Sequence, residues 1–160
     1  MDYFLSSVKY EKIWGRGPTK ISVHTKHGFD VDVRVVQEDA FGAALQYFTG
    51  SKEHNVQVRT YAVKKGYTLN EYGLYQGKKK VACKTEQDVY GALGMAYIEP
   101  ELREAQGEVD LALKNALPKV IPYGSLKGDL QIQTDWTDGK HSIEEMAMAA
   151  KKQGLEYIAI

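Results

Sequence analysis

The chain has 160 residues, 43% hydrophobic and 26% charged, which is enough for one ordinary domain or two small ones in tandem. Its 21 Lys and Arg balance its 21 Asp and Glu, which argues against a histone-like or tail-like nucleic-acid binder but leaves room for a local basic patch. The lone Cys83 cannot close an internal disulfide, residues 1–5 lack the basic and apolar character of a signal peptide, and no apolar run nears the roughly 18–20 residues that span a bilayer. A cytoplasmic protein without a membrane partner is expected.

Residues 1–14 read as a short helix running into a turn at Gly15, Gly17 and Pro18. Residues 20–26 alternate apolar and polar, with Ile21, Val23 and Thr25 on one face. After the His27-Gly28 turn, residues 29–36 read as the return strand. There Val31, Val33 and Val35 point one way, and Asp30, Asp32 and Arg34 the other. Residues 41–48 suit a buried helix, and Ser51 caps a second one running to about Lys65 before Gly66. Residues 67–75 alternate as a strand. Lys78, Lys79 and Lys80 make a basic turn into another strand through Cys83. A short helix follows Thr85, and an acidic stretch around Pro100 is expected to end the compact part. Residues 108–117 suit a helix, 128–134 a strand, and 142–153 a helix with Ser142 and Glu145 as a capping box. The apolar end at residues 157–160 reads as a buried strand that needs neighbours, as if the chain stopped inside a domain.

Three constellations carry chemistry. Asp30 and Asp32 sit at i and i+2 on one strand face, roughly 6–7 Å apart at the Cα atoms, a spacing that suits divalent metal and phosphate. The plainer reading, a solvent-facing polar side of a sheet, is the commoner one on pattern alone. Tyr47, Phe48, Thr49, Gly50 and Ser51 precede Asn55 and Arg59, which share one helix face. An amide and a guanidinium beside paired aromatics suit reading and stacking a base, and again an ordinary polar helix surface is the commoner reading. The third, residues 128–133 followed by Thr137, Asp138 and Gly139, reads as a plain strand and turn. His24, His27 and His54 have no metal-ligand spacing with each other or with Cys83. Residues 15–20 read as a turn rather than a phosphate loop, with Arg16 and Lys20 as possible contacts to a DNA backbone.

Taken together, Gly17-Pro18-Thr19-Lys20, Val31-Asp32-Val33-Arg34, residues 41–51, Asn70-Glu71-Tyr72 and Glu99-Pro100-Glu101-Leu102 resemble the family X DNA polymerases, the group that includes polymerase beta. The resemblance is nearest to the bacterial and archaeal branch, in which the polymerase is fused to a PHP phosphoesterase domain. It implies an α+β chain: residues 1–40 ending a palm sheet, 41–105 forming the nucleotide-selecting subdomain (thumb or fingers by different conventions), 106–126 a linker, and 127–160 the start of a PHP domain. It implies a DNA-directed DNA polymerase acting on gapped or primer-template DNA and dNTP in repair, with Mg2+ or Mn2+ in the full-length protein. Asp32 matches the family's third catalytic carboxylate, a metal ligand. Arg34 matches its palm arginine neighbour. Tyr47, Phe48, Gly50 and Asn55 match residues around the incoming nucleotide. Arg59 matches the template-side arginine, Ser51 the helix start beside the DNA, and Glu71 and Tyr72 a supporting pair beneath that helix. Asp30 has no counterpart as a ligand.

The family's first two metal-binding aspartates and its triphosphate loop have no match here, so the chain alone is expected to be inactive. At the PHP start, Gln131 and Gln133 stand where the family has His-x-His, and only Asp138 matches. Two other classes remain open: a non-catalytic module holding DNA through Lys78, Lys79, Lys80, Arg59 and Ser51, and a phosphoesterase whose site is built elsewhere.

Overall fold

In the computed structural model, which describes residues 1–81 and 83–160, a short helix α1 (Asp2–Ser7) leads into three antiparallel strands, β1 (Tyr10–Arg16), β2 (Lys20–Thr25) and β3 (Asp30–Arg34), in the order β1-β2-β3. The helix expected over residues 1–14 is therefore corrected. It ends at Ser7, and Tyr10 to Arg16 pair along β2 instead. The reason is tertiary: β2 buries Ile21 and Val23 completely, and Tyr10, Ile13 and Trp14 fit a pleated partner better than an isolated helix with no buried residue. Across β2 and β3, Ile21 faces Val33 and Val23 faces Val31. On the other face Lys20 meets Arg34, Ser22 meets Asp32 and His24 meets Asp30.

Helix α2 (Phe41–Thr49) buries Gly42, Ala43, Ala44 and Gln46. Gly42 allows the closest approach in the fold, because a Cβ there would overlap the Thr85 carbonyl. The Gly42 N–H donates to Cys83 O at 2.9 Å. Gly50 ends α2 at φ 75°, in left-handed space that only glycine enters freely. The Gly50–Ser51 peptide is cis. Ser51 then caps α3 (Lys52–Lys64), its Oγ accepting from His54 N at 3.2 Å.

A second antiparallel sheet holds β4 (Tyr67–Asn70), β5 (Gly73–Gln76) and β6 (Lys79–Val81). The single strand expected over 67–75 is two strands. Asn70 pairs with Gly73 across a two-residue turn, where Asn70 Oδ1 accepts from Tyr72 N at 2.9 Å. The strand expected to reach Cys83 is described as far as Val81, and Ala82 on its path lies outside the described residues. Helix α4 (Glu86–Ala92) opens with a Thr85–Asp88 capping box.

The acidic stretch around Pro100 does not close the folded unit. Arg103 is only 1% exposed, and Val109 and Ala112 of α5 (Glu108–Leu113) join Val58, Ala62, Leu69, Leu74, Val89 and Tyr90 in one core. Helix α5 stops at Leu113, short of the expected 117, where Asn115 takes φ 52°. This unit spans Met1–Pro118, and Lys119–Ile160 forms a second.

The second unit is a small β-α-β arrangement. β7 (Gly128–Asp129) pairs in parallel with β8 (Tyr157–Ile158), and α6 (Ile143–Lys152) lies between them in sequence. The expected Ser142–Glu145 capping box is present. The strand expected over 128–134 ends at Asp129, whose carboxylate turns back to accept from Gln131 N at 3.0 Å. No helix among the described residues is long and apolar enough to cross a membrane.

Candidate nucleotide and DNA cleft

The turn from α2 into α3 opens a cleft of about 400 Å³ lined by Tyr47, Phe48, Thr49, Gly50, Ser51, Lys52, Asn55 and Arg59. All six residues expected around nucleotide and template in this segment are thus brought together. Tyr47 and Phe48 meet edge to face, with ring centroids 5.1 Å apart. Phe48 is half exposed at the cleft. Arg59 is exposed, its Nε donating to Asn55 O at 3.3 Å.

Asn55 is largely buried. Its Oδ1 accepts from Gln46 Nε2 at 2.6 Å and its Nδ2 donates to Tyr47 O at 2.7 Å. An amide has two N–H donors, so one remains for the cleft. The same two bonds fix Tyr47 and α2 against α3. Asn55 therefore shapes the cleft as well as facing it.

Arg34 and Glu71 link the first sheet to this cleft. Arg34 Nη1 lies 3.8 Å from Glu71 Oε1, and its guanidinium carbon sits 5.2 Å from the centre of the Phe48 ring. Tyr72 stands beside Glu71 in the β4–β5 turn with its ring more than half exposed. Of the three basic-turn residues, Lys80 is committed to Asp39 at 2.9 Å. Lys78 and Lys79 are exposed and have no ion-pair partner among the described residues.

The carboxylates on β3 are both spoken for. Asp30 is hydrogen-bonded to His24 Nδ1 at 2.7 Å and to Trp14 Nε1 at 3.4 Å, and these partners hold it below the usual carboxylate range. Asp32 is held below that range by Ser22 and by Lys20, whose Nζ lies 3.3 Å away. Among the described residues no three His, Cys, Asp or Glu side chains gather into a metal site. A hard divalent ion takes six or more oxygen ligands. Asp32 with a lysine beside it does not fit one by itself.

In the second unit Gln131, Gln133 and Asp138 are exposed. Gln133 Oε1 accepts from Thr137 Oγ1 at 3.2 Å, and Thr137 Oγ1 lies 3.3 Å from Asp138 Oδ1. They form a loop network rather than a ligand cluster.

Sequence reasoning missed the polar layer behind the cleft. His54 is fully buried, its Nδ1 2.7 Å from Glu108 Oε1 and its Nε2 2.9 Å from Tyr90 Oη. Arg103 donates to Glu86 at 2.6 Å and to Ile98 O at 2.8 and 3.0 Å. Tyr97 donates to Glu86 at 3.0 Å, and burial followed by that contact pushes its phenol up to about 12. Burial pulls His54 below its ordinary value. Burial works to raise Glu108, but the His54 bond and backbone N–H donors outweigh it and hold it low. No periodicity marks such residues, since a lone histidine or arginine in a helix or loop reads as surface. Lys52 in the cleft was also missed, and its place directly after the cap was the available signal.

Residues 44–104 match the family model described as DNA polymerase beta thumb. The mixed helices and small antiparallel sheets are those of a polymerase beta thumb-like fragment. The chain is 38% identical over 149 residues to the DNA polymerase/3′-5′ exonuclease PolX of Bacillus subtilis, covering 90% of this chain and 26% of that protein. Two crystal structures of Leishmania infantum polymerase beta are also similar. The ternary P/T complex aligns with TM-score 0.56 and 29% identity over 64% of this chain and 52% of that one, and the ternary gap complex with 0.56 and 28% over 64% and 49%. These likenesses support a fragment of a family X DNA polymerase. The chain spans about a quarter of the length of the Bacillus relative.

Proposed function

We propose that this chain is the nucleotide-selecting part of a family X DNA polymerase that fills gaps in DNA repair. Residues 1–40 end its palm, 41–105 form its nucleotide-selecting subdomain and 127–160 begin a PHP domain; of the connecting residues 106–126, those through α5 pack into the first unit's core. The observation that carries the reading is the single cleft uniting Tyr47, Phe48, Gly50, Asn55 and Arg59 within the segment that matches a polymerase beta thumb. The ternary complexes of the similar Leishmania protein support DNA as the partner.

In this reading the Tyr47–Phe48 pair packs against sugar and base, the free Asn55 N–H reaches a base edge, and Arg59 meets the template strand. Arg34, stacked on Phe48 and facing Glu71, steadies that wall. Asp32 is one carboxylate of the parent's metal site. It does not fit a metal alone, and the purified chain is expected to incorporate no nucleotide. Gln131 and Gln133 are poor replacements for the metal-binding histidines of a PHP opening, so this chain is expected to show no phosphoesterase activity.

A second reading, a DNA-holding module, is favoured by Lys78 and Lys79, exposed and without an ion-pair partner among the described residues. Fluorescence anisotropy with one-nucleotide-gapped DNA separates the two. The polymerase reading expects tighter binding with the complementary magnesium–dNTP than with a mismatched one, and a weakening of about 1–3 kcal/mol in Phe48→Ala, the cost of one base stack. A steep salt dependence with no nucleotide preference would instead establish the module.

A further inference from the structure

We infer that Glu108 is a positioning residue for the cleft: through His54 it holds the Gly50–Ser51 turn and the first turn of α3, and with them Asn55 and Arg59, against the loop at residues 103–107. This rests on the proposed polymerase reading for what the cleft binds. The geometry is a closed ring of hydrogen bonds. Ser51 N–H donates to Arg103 O at 3.0 Å, and His54 N–H donates to Ser51 Oγ at 3.2 Å. Glu108 Oε1 accepts from Ala105 N–H at 3.0 Å, and Oε2 from Gln106 N–H at 2.7 Å. The ring closes between Glu108 Oε1 and His54 Nδ1 at 2.7 Å. An ionised carboxylate only accepts, so Nδ1 carries the imidazole proton and Nε2 accepts the Tyr90 hydroxyl.

Stability alone gives little reason for this arrangement. A buried ionisable pair costs desolvation, and an apolar pair of like volume serves as well or better. What hydrogen bonds of this kind supply is register. His54 and Asn55 are consecutive on α3, so one faces the rear layer while the other faces α2 and the cleft. Moving one moves the other. Glu108 also lies beyond the matched thumb segment, residues 44–104. The chain following the thumb thus reaches back to set the cleft.

The test compares Glu108→Gln with Val109→Ala, a core truncation on the same helix, in the isotope-labelled 160-residue chain. The readouts are the amide shifts of Ser51 and Asn55, the His54 Nδ1–H resonance, and affinities for gapped DNA alone and for magnesium–dNTP added to that DNA. We expect E108Q to move those resonances and weaken nucleotide binding by about fivefold or more while leaving DNA affinity nearly unchanged, and V109A to do neither. Equal effects of both variants, or none from E108Q, would overturn the inference. If E108Q does not fold, the unaltered chain decides: nucleotide binding must shift the His54 ring and the Ala105 and Gln106 amides, and stationary signals there refute the coupling. If the unaltered chain binds neither ligand, the polymerase reading fails. The positioning claim then stands or falls on whether E108Q, and not V109A, displaces Ser51 and Asn55 in the free chain.

Discussion

The two units of the chain differ in what stands behind their polar residues. In Met1–Pro118 the cleft residues project from helix ends backed by a core of fully buried side chains and a layer of paired, buried ionisable groups. In Lys119–Ile160 only Thr134 and Ala150 are buried, and Gln131, Gln133 and Asp138 sit on exposed backbone. A two-stranded pair and one helix bury too little to offset much ordering entropy. Geometry tight enough for recognition needs the first arrangement, and the second needs more neighbours before its polar residues can act together.

The largest expected effect sharpens this contrast. Arg103→Ala leaves the buried Glu86 carboxylate without its charged partner and should cost about 3–5 kcal/mol in urea unfolding of the first unit, with amide exchange in residues 119–160 unchanged. Leu74→Ala, at a site with no exposure, should cost about 2–5 kcal/mol, whereas Met148→Ala on the exposed face of α6 should cost about 0.5 kcal/mol or less. Equal losses at both positions would break the comparison.

Acid should act on the rear layer. His54 is depressed in the folded state, so below its ordinary 6.5 the unfolded chain binds a proton that the folded chain refuses. Stability of the first unit should be full above pH 6.5 and fall as pH drops below it. Glu108, also depressed, adds to the loss as pH falls through and below its ordinary 4.5. Thermal melts from pH 7.5 to 4 check this, and His54→Phe should remove the upper part of the slope. A further, modest effect is expected at the caps. Ser51→Ala should cost about 1 kcal/mol, and by loosening α3 it should also broaden the cleft amides, while Ser142→Ala at the matching cap of α6 should leave them sharp.

Much of this was legible in the sequence where the signal is local. The Ser51 and Ser142 caps, the alternation of Val31 and Val33 with Asp30 and Asp32, and the aromatic pair before Gly50 all follow from side-chain periods and turn chemistry. What escaped depends on partners distant in sequence. Residues 10–16 became a strand because β2 needed a neighbour. Asn70 folded 67–76 into a hairpin through a side-chain bond that alternation does not reveal. Arg103 read as part of an acidic stretch ending the compact part and Glu108 as the start of a helix beyond it, and only Glu86 and His54 waiting in the core made them buried.

The central question is whether the cleft between α2 and α3 takes a nucleotide opposite a template. The decisive measurement is an NMR titration of the labelled chain with magnesium–dNTP and one-nucleotide-gapped DNA, separately and together. Shifts concentrated at residues 47–59, larger with both ligands than with either, are the expected result. Shifts confined to DNA addition and centred on Lys78 and Lys79 would contradict it.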